Sequence, residues 1–210
     1  MANKRIFKAA PEVEVLKGLT FNIAKEGVVR IVGGSGSGKS TLGRAMVRLL
    51  EPSAGIIRFQ GRDITHLNED TLRPMRRKFQ MIFQDPMSSL NPRRTVFAII
   101  AASLRLHKFD RVEGRVEEAL DMVGLPRNFK NRYPHELSGG QRQRVGIARS
   151  IATEPEFILA DEIVSGLDVS SQAQVLNLLE QLVRDLDLTL AFISHDLSVV
   201  RRLCQYTIVL

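Results

Sequence analysis

Short apolar runs alternate along the chain with longer stretches whose apolar residues recur at helical spacing. GVVRIVG (27–33) is an apolar, β-branched run suited to a buried strand. Directly after it, KSTLGRAMVRLL (39–50) places Leu42, Ala45, Met46, Leu49 and Leu50 at helical spacing, with Pro52 as the stop. Upstream, VEVLKGLTFNIAKEG (13–27) alternates in places and predicts edge strands. GIIRFQGRDI (55–64) predicts a strand pair around Gly61, and KFQMIFQ (78–84) a further short strand. From about residue 86 the pattern turns helical. RVEGRVEEALDMVGL (111–125) sets Val112, Val116, Ala119, Leu120 and Val123 on one face. Strand spacing returns at EFILAD (156–161). It is followed by a helix at QAQVLNLLEQLVRDL (172–186), a strand at LTLAFIS (188–194), a helix at DLSVVRRLC (196–204) and a strand at YTIVL (206–210). This pattern predicts an α/β fold: an N-terminal antiparallel β part, a sheet core and an inserted helical subdomain.

At 210 residues, 44% apolar and 25% charged, the chain is ordinary globular material for a single domain. The longest strongly apolar run, VFAIIAASL (96–104), is too short to cross a bilayer. The N-terminus lacks an apolar signal core, so a soluble protein that stays where it is made is expected. Its one cysteine, Cys204, rules out an internal disulfide and suits a reducing compartment. The net charge is +7, with basic clusters at 76–78, 93–94 and 142–144. Such charge is most often a solvated surface. No Trp and two Tyr leave little to stack on bases, so no nucleic acid partner is expected. An acidic lipid leaflet is the better functional reading.

The chemistry concentrates at GGSGSGKS (33–40), which fits the phosphate-binding loop G-x-x-x-x-G-K-[ST] through Gly33, Gly38, Lys39 and Ser40. The stretch Gly33, Gly34, Ser35, Gly36, Ser37, Gly38 turns tightly and points successive N–H groups at an anion. Lys39 is a point charge for the β- and γ-phosphates, Ser40 a candidate Mg²⁺ ligand, and Thr41 lies just inside the following helix. A flexible Gly/Ser loop is the bland alternative; the strand before and the helix after argue against it. The strand EFILAD ends in Asp161 and Glu162, where open α/β sheets present ligand-binding groups. Asp161 is a candidate Mg²⁺ ligand and Glu162 a candidate base for an attacking water. LSGGQ (137–141) opens a second helix: Ser138 is a good N-cap, and Gly139 and Gly140 leave its first N–H groups open to an anion.

GGSGSGKST, LSGGQ followed by RQR, FILADE, SGLD (165–168) and ISHD (193–196) occur in this order. Together they resemble the nucleotide-binding subunit of an ABC transporter over nearly the whole chain. The resemblance implies a P-loop NTPase (RecA-like) core over 1–84 and 156–210, with 85–155 as a helical subdomain carrying the signature. It matches Lys39 to the Walker A lysine, Asp161 to the Walker B aspartate, Glu162 to the catalytic glutamate and His195 to the switch histidine. Gln84 matches the Q-loop glutamine and metal contact, Ser138, Gly139, Gly140 and Gln141 the signature, and Asp168 the D-loop aspartate. Phe7 is the candidate for stacking on adenine. QDPMSSLNPR (84–93) and YPHELSGGQRQR (133–144) resemble the oligopeptide, dipeptide and nickel import branch.

The family implies ATP and Mg²⁺, and a second cassette, identical or paralogous, paired head to tail. It also implies permease subunits in the membrane, an extracytoplasmic solute-binding protein acting indirectly, and a peripheral position on the cytoplasmic face of the inner membrane. An exporter ATPase, a soluble non-transport ABC ATPase and a non-hydrolysing module are the alternatives. Four features depart from the family pattern: Arg30 inside the first strand, Glu26-Gly27, Ile163-Val164 after the glutamate, and Gly166. The chain ends within a strand where the family continues, so a C-terminally truncated cassette is expected.

Overall fold

The computed structural model describes residues 15–16, 18–85, 89–194, 204 and 206–210. Five strands, β1 (Val28–Val32), β4 (Phe79–Ile82), β5 (Phe157–Asp161), β6 (Thr189–Ile193) and β7 (Tyr206–Val209), form a parallel sheet in the order β4-β5-β6-β1-β7. Every residue of β5 and β6 is buried. Both faces of these strands are covered, which is why their sequences read as unbroken apolar runs.

Alternate strand residues feed two cores. Val28, Ile158, Ala160, Leu190 and Phe192 face one core. It is completed by the helices α3 (Val96–Leu106), α4 (Val112–Met122), α5 (Gly139–Ile151) and α6 (Val169–Asp185). Ile31, Leu159, Ala191 and Ile193 face the other core with Leu42 of α1 (Lys39–Met46) and Leu72 of the short α2 (Glu69–Leu72). The stretch 96–104 is the body of α3, which buries Val96, Ile99, Ile100, Ala101 and Leu104. Among the described residues no helix is long and apolar enough to cross a membrane.

Two expectations are corrected. No strand is assigned within the described part of 15–27; the antiparallel part is a two-stranded hairpin of β2 (Arg58–Phe59) and β3 (Arg62–Asp63). Gly18 (φ 56°) and Glu26 (φ 60°) break any extended run, and Leu16, Phe21 and Ile23 pack on the second core instead. The first helix ends at Met46, well before Pro52. Arg48 turns into the left-handed region (φ 52°), and its buried guanidinium donates to the carbonyls of Ile64 (2.8 Å) and Leu67 (3.3 Å). Leu49 and Leu50 are consequently exposed. The expected helix 196–204 lies outside the described residues, Cys204 excepted.

Because the main strands are parallel, their C-terminal ends share one edge. Gly33 follows β1, Gln84 lies two residues past β4, Glu162 follows β5 and Ser194 follows β6. The helix α1 is seated on that sheet through Gly43. A Cβ there would lie 2.8 Å from Ile193 Cδ1 and 2.8 Å from Leu159 Cδ2. Gly43→Val is therefore expected to overpack this contact and destabilise the fold by about 1–3 kcal/mol. Denaturant unfolding of the two proteins checks it; equal midpoints and slopes would show that the helix seats itself by other means.

Candidate active site

The loop from Gly33 to Gly38 leaves β1 and enters α1 through left-handed backbone. Gly36 has φ 76° and Gly38 φ 92°. Gly38 is the N-cap of α1 and supplies no side-chain acceptor, so the first turn of the helix carries no side-chain cap. Uncapped N–H groups and the positive end of the helix dipole make a receptor for an anion. Gly38 is also fixed by space: a Cβ would sit 2.8 Å from Leu16 Cδ2 and 3.0 Å from Val15 Cγ1. Val15 and Leu16, expected in an edge strand, thus pack against the back of the loop. The alternating pattern contained them but did not reveal that use.

Inside the loop Lys39 is buried, and its ammonium donates to the carbonyls of Gly33 (2.9 Å) and Gly34 (2.7 Å). Ser37 N–H donates to Gly34 O at 3.2 Å, while Ser37 Oγ is buried and has no hydrogen-bond partner among the described residues. Gly34, Ser35 and Gly36 are exposed, and Thr41 lies half-buried in the first turn of α1. A hydroxyl orphaned among the described residues, uncapped helix amides and a lysine bonded to loop carbonyls all fit a bound phosphate chain.

Ser40 Oγ donates to Asp161 Oδ1 at 3.2 Å, which joins α1 to the end of β5 across the intervening β6. Asp161 is buried, and this desolvation raises its pKa above the ordinary 3.8; the Ser40 hydrogen bond opposes the rise and the charge of Glu162 adds to it. A buried carboxylate beside a serine hydroxyl, its charge penalised by burial, fits a Mg²⁺ ligand pair. Gln84, the third candidate ligand, is turned to Glu162: its Nε2 donates to Glu162 Oε2 at 2.9 Å, leaving Oε1 for a metal or water. Glu162 has left-handed backbone (φ 48°), its N–H donating to Ile193 O at 3.0 Å. The expectations for Lys39, Ser40, Gln84, Asp161 and Glu162 thus meet at one edge of the sheet. His195 and Phe7 lie outside the described residues.

The second candidate phosphate receptor lies at the start of α5. Ser138 caps it in a reciprocal box: Gln141 N–H donates to Ser138 Oγ at 3.3 Å, and Ser138 N–H to Gln141 Oε1 at 3.0 Å. Gly139 lies against Leu167 and Gly140 against Ser171. Asp168 caps α6, accepting from Ser171 N–H (2.9 Å) and Ser171 Oγ (2.6 Å), and these bonds hold its pKa below the usual range. The signature and SGLD segments therefore pack together. Among the described residues no hydrogen bond joins either of them to the loop 33–41.

The structure places three of the departures from the family pattern. Ile163 and Val164 are buried core residues. Gly166 has φ 76°, a conformation that strains alanine. Arg30 lies opposite Thr207 of the edge strand β7, with Nη2 3.4 Å from Thr207 Oγ1.

The raised pKa of Asp161 has a definite sign in stability. The folded chain holds this proton more tightly than the unfolded chain, so the contribution is full below 3.8 and is lost as pH rises through the folded value. Asp161→Asn removes that loss. It is expected to raise the melting temperature of the nucleotide-free protein at neutral pH, with the gain shrinking as the pH falls into the carboxylate range. Thermal melts at a series of pH values check it; a gain independent of pH would place the effect elsewhere.

The ABC transporter family pattern matches residues 16–165. A putative peptide import ATP-binding protein of Brucella ovis is 52% identical over 202 residues, covering 94% of this chain and 63% of that protein. The oligopeptide transport ATP-binding protein AppF of Bacillus subtilis is 52% identical over 196 residues, covering 91% of this chain and 60% of that protein. The chain thus spans somewhat less than two thirds of the length of these curated relatives. Among solved structures, a dimeric ATP-binding cassette in a post-hydrolysis state with ADP and Pi superposes with a TM-score of 0.85 at 32% identity, covering 97% of this chain and 90% of that one. The cassette cbiO1 of Clostridium perfringens, part of an ABC transporter complex, gives 0.84 at 31% identity over 93% and 77% of the two chains. The sheet edge that gathers Lys39, Ser40, Asp161 and Glu162 is thus built on the cassette fold, and the chain belongs to the ABC transporter family of ATP-binding subunits.

Proposed function

We propose that this chain binds and hydrolyses ATP to drive import of peptides or a similar small solute through partner permeases. The observation that carries the reading is the pair of bonds at the sheet edge, Ser40–Asp161 (3.2 Å) and Gln84–Glu162 (2.9 Å). They bring a metal-ligand pair and a base together at the mouth of a phosphate-binding loop. The peptide-type substrate rests on the names of the relatives in Brucella ovis and Bacillus subtilis.

In this reading the amides of 34–40 and the Lys39 ammonium hold the β- and γ-phosphates of ATP. Lys39 exchanges its two loop carbonyls for phosphate oxygens. Ser40, Asp161 and Gln84 would hold Mg²⁺, which supplies charge neutralisation on the phosphates. Glu162, released from Gln84, accepts the proton of the attacking water. The water oxygen bonds to the γ-phosphorus, the bond to the β–γ bridging oxygen breaks, and ADP leaves with the electron pair. His195 contacts the γ-phosphate and Phe7 the adenine.

Ser138, Gly139, Gly140 and Gln141 close over nucleotide held by a second cassette, identical or paralogous, with Asp168 at that junction. The division into a core (1–84 and 156–210) and a helical subdomain (85–155) belongs to the same reading. So do the indirect solute-binding protein and a peripheral site on the cytoplasmic face of the inner membrane.

Glu162→Gln keeps the size and hydrogen bonding of the side chain but removes its basicity. It is expected to bind ATP with near-normal affinity and to release phosphate about 100-fold or more slowly. Equilibrium ATP titration and a phosphate-release assay check the two halves; turnover at the wild-type rate would remove Glu162 from the base role.

The shared site has its own signature. Turnover is expected to rise faster than linearly with concentration when the protein is dilute, and Ser138→Arg to abolish turnover while leaving ATP binding intact. Mixing Ser138→Arg with Lys39→Ala subunits is expected to restore part of the activity, because one composite site of the mixed dimer keeps both elements. If the second cassette is a paralogue, the same measurements are made on the heterodimer. A rate proportional to concentration at every dilution would exclude a shared site.

A further inference from the structure

Arg149, like Arg48, donates its guanidinium to a backbone carbonyl. It lies in the last turn of α5, a helix rich in buried residues, and burial lowers its pKa below the usual guanidinium range. Its Nη1 donates to the carbonyl of Ser89 at 2.6 Å. Among the described residues this is its hydrogen bond, and no acidic group stands against it as an ion-pair partner. A desolvated guanidinium without a carboxylate costs stability, and an apolar side chain of similar volume would fill the site at lower cost. What the charge provides is a strong, directional donor to one backbone carbonyl.

That carbonyl belongs to the segment that follows Gln84. Ser89 N–H donates to Asp85 O at 3.2 Å, Asp85 is the neighbour of Gln84, and the Gln84 amide donates to Glu162. At the other end of the same helix stand Ser138 and Gln141. Helix α5 is a rigid rod, so a displacement of its N-terminus moves Arg149 with it. The remaining arginine contacts of α5 lead elsewhere: Arg142 to Leu137 O, Arg144 to Val123 O and Gln174.

We propose that Arg149 is a positioning residue. It ties the helix bearing the signature to the segment carrying Gln84, and so sets where Gln84 stands relative to Glu162, while touching neither nucleotide nor metal. This rests on the proposed roles of Gln84 and Glu162. Contact of the second cassette with Ser138 would thereby reach the water-activating carboxylate of the same chain through Arg149 and Gln84.

The test uses the full chain with R149M and R149K, because methionine keeps the apolar stem and lysine restores one charged donor. In nucleotide-free protein, R149M is expected to speed amide exchange at Ser89 and Leu90 by about tenfold or more, with the amides of 143–148 unchanged. In turnover, R149M is expected to keep ATP affinity within about twofold and to lose about tenfold or more in kcat, a split that general destabilisation does not produce. R149K is expected to recover most of both effects. Unchanged exchange at Ser89 and Leu90, wild-type kcat in R149M, or an R149K as impaired as R149M would each overturn the proposal. Should R149M fail to fold, the exchange and kcat of R149K against wild type decide it: large losses overturn, near-normal values support. If the wild-type protein itself proves unable to hydrolyse ATP, the functional reading falls, and exchange at Ser89 and Leu90 still decides whether Arg149 holds this segment.

Discussion

A carboxylate withdrawn from water at the end of a buried strand organises this molecule. Asp161 is covered on both faces of the sheet because β5 lies between β4 and β6, with helices above and below. Its charge is costly there unless donors or a cation meet it. Ser40 is the donor that the fold supplies, and it stands where it does because α1 leaves the phosphate loop directly and is seated on Leu159 and Ile193 through Gly43. The loop, the first helix and the acidic strand end are thus three parts of one electrostatic arrangement. It is balanced by the protein's own groups: Lys39 on loop carbonyls, Ser40 on Asp161, Gln84 on Glu162. Each of these bonds is one that a phosphate, a metal or a water can replace in kind.

Much of this was legible before any coordinates. Residues 33–41 carry their signal locally, in glycines that permit left-handed turns and a lysine at fixed spacing. β5 and β6 were legible because burial on both faces leaves a continuous apolar run. The segment 13–27 was misread for a related reason. Val15, Leu16, Phe21 and Ile23 are apolar because the second core and the back of the loop need them, with no strand partner involved among the described residues. The end of α1 was set by the carbonyls of Ile64 and Leu67, distant in sequence, which hold the Arg48 guanidinium. No local rule announces that. The Gln84–Glu162 bond likewise spans 78 positions and has no sequence signal beyond the motifs at its two ends.

The helical insert adds a different kind of order. Its signature loop is internally satisfied by the Ser138–Gln141 box and braced against the SGLD segment, so it is a preformed surface. Preformed surfaces bind with little ordering cost. Under the proposed function, such a surface suits repeated closure and release, because the loop needs no reordering.

The left-handed backbone of Glu162 has a consequence for how such machines diverge. Glycine adopts that conformation freely, whereas any other residue carries a strain of about 1 kcal/mol there. The architecture therefore does not require a glutamate at this corner, and a glycine would relax it. Chemistry and foldability are decoupled at the residue proposed as the base. Under the proposed function, an assembly of two cassettes can lose one of its two bases by a single codon change and still keep that cassette folded.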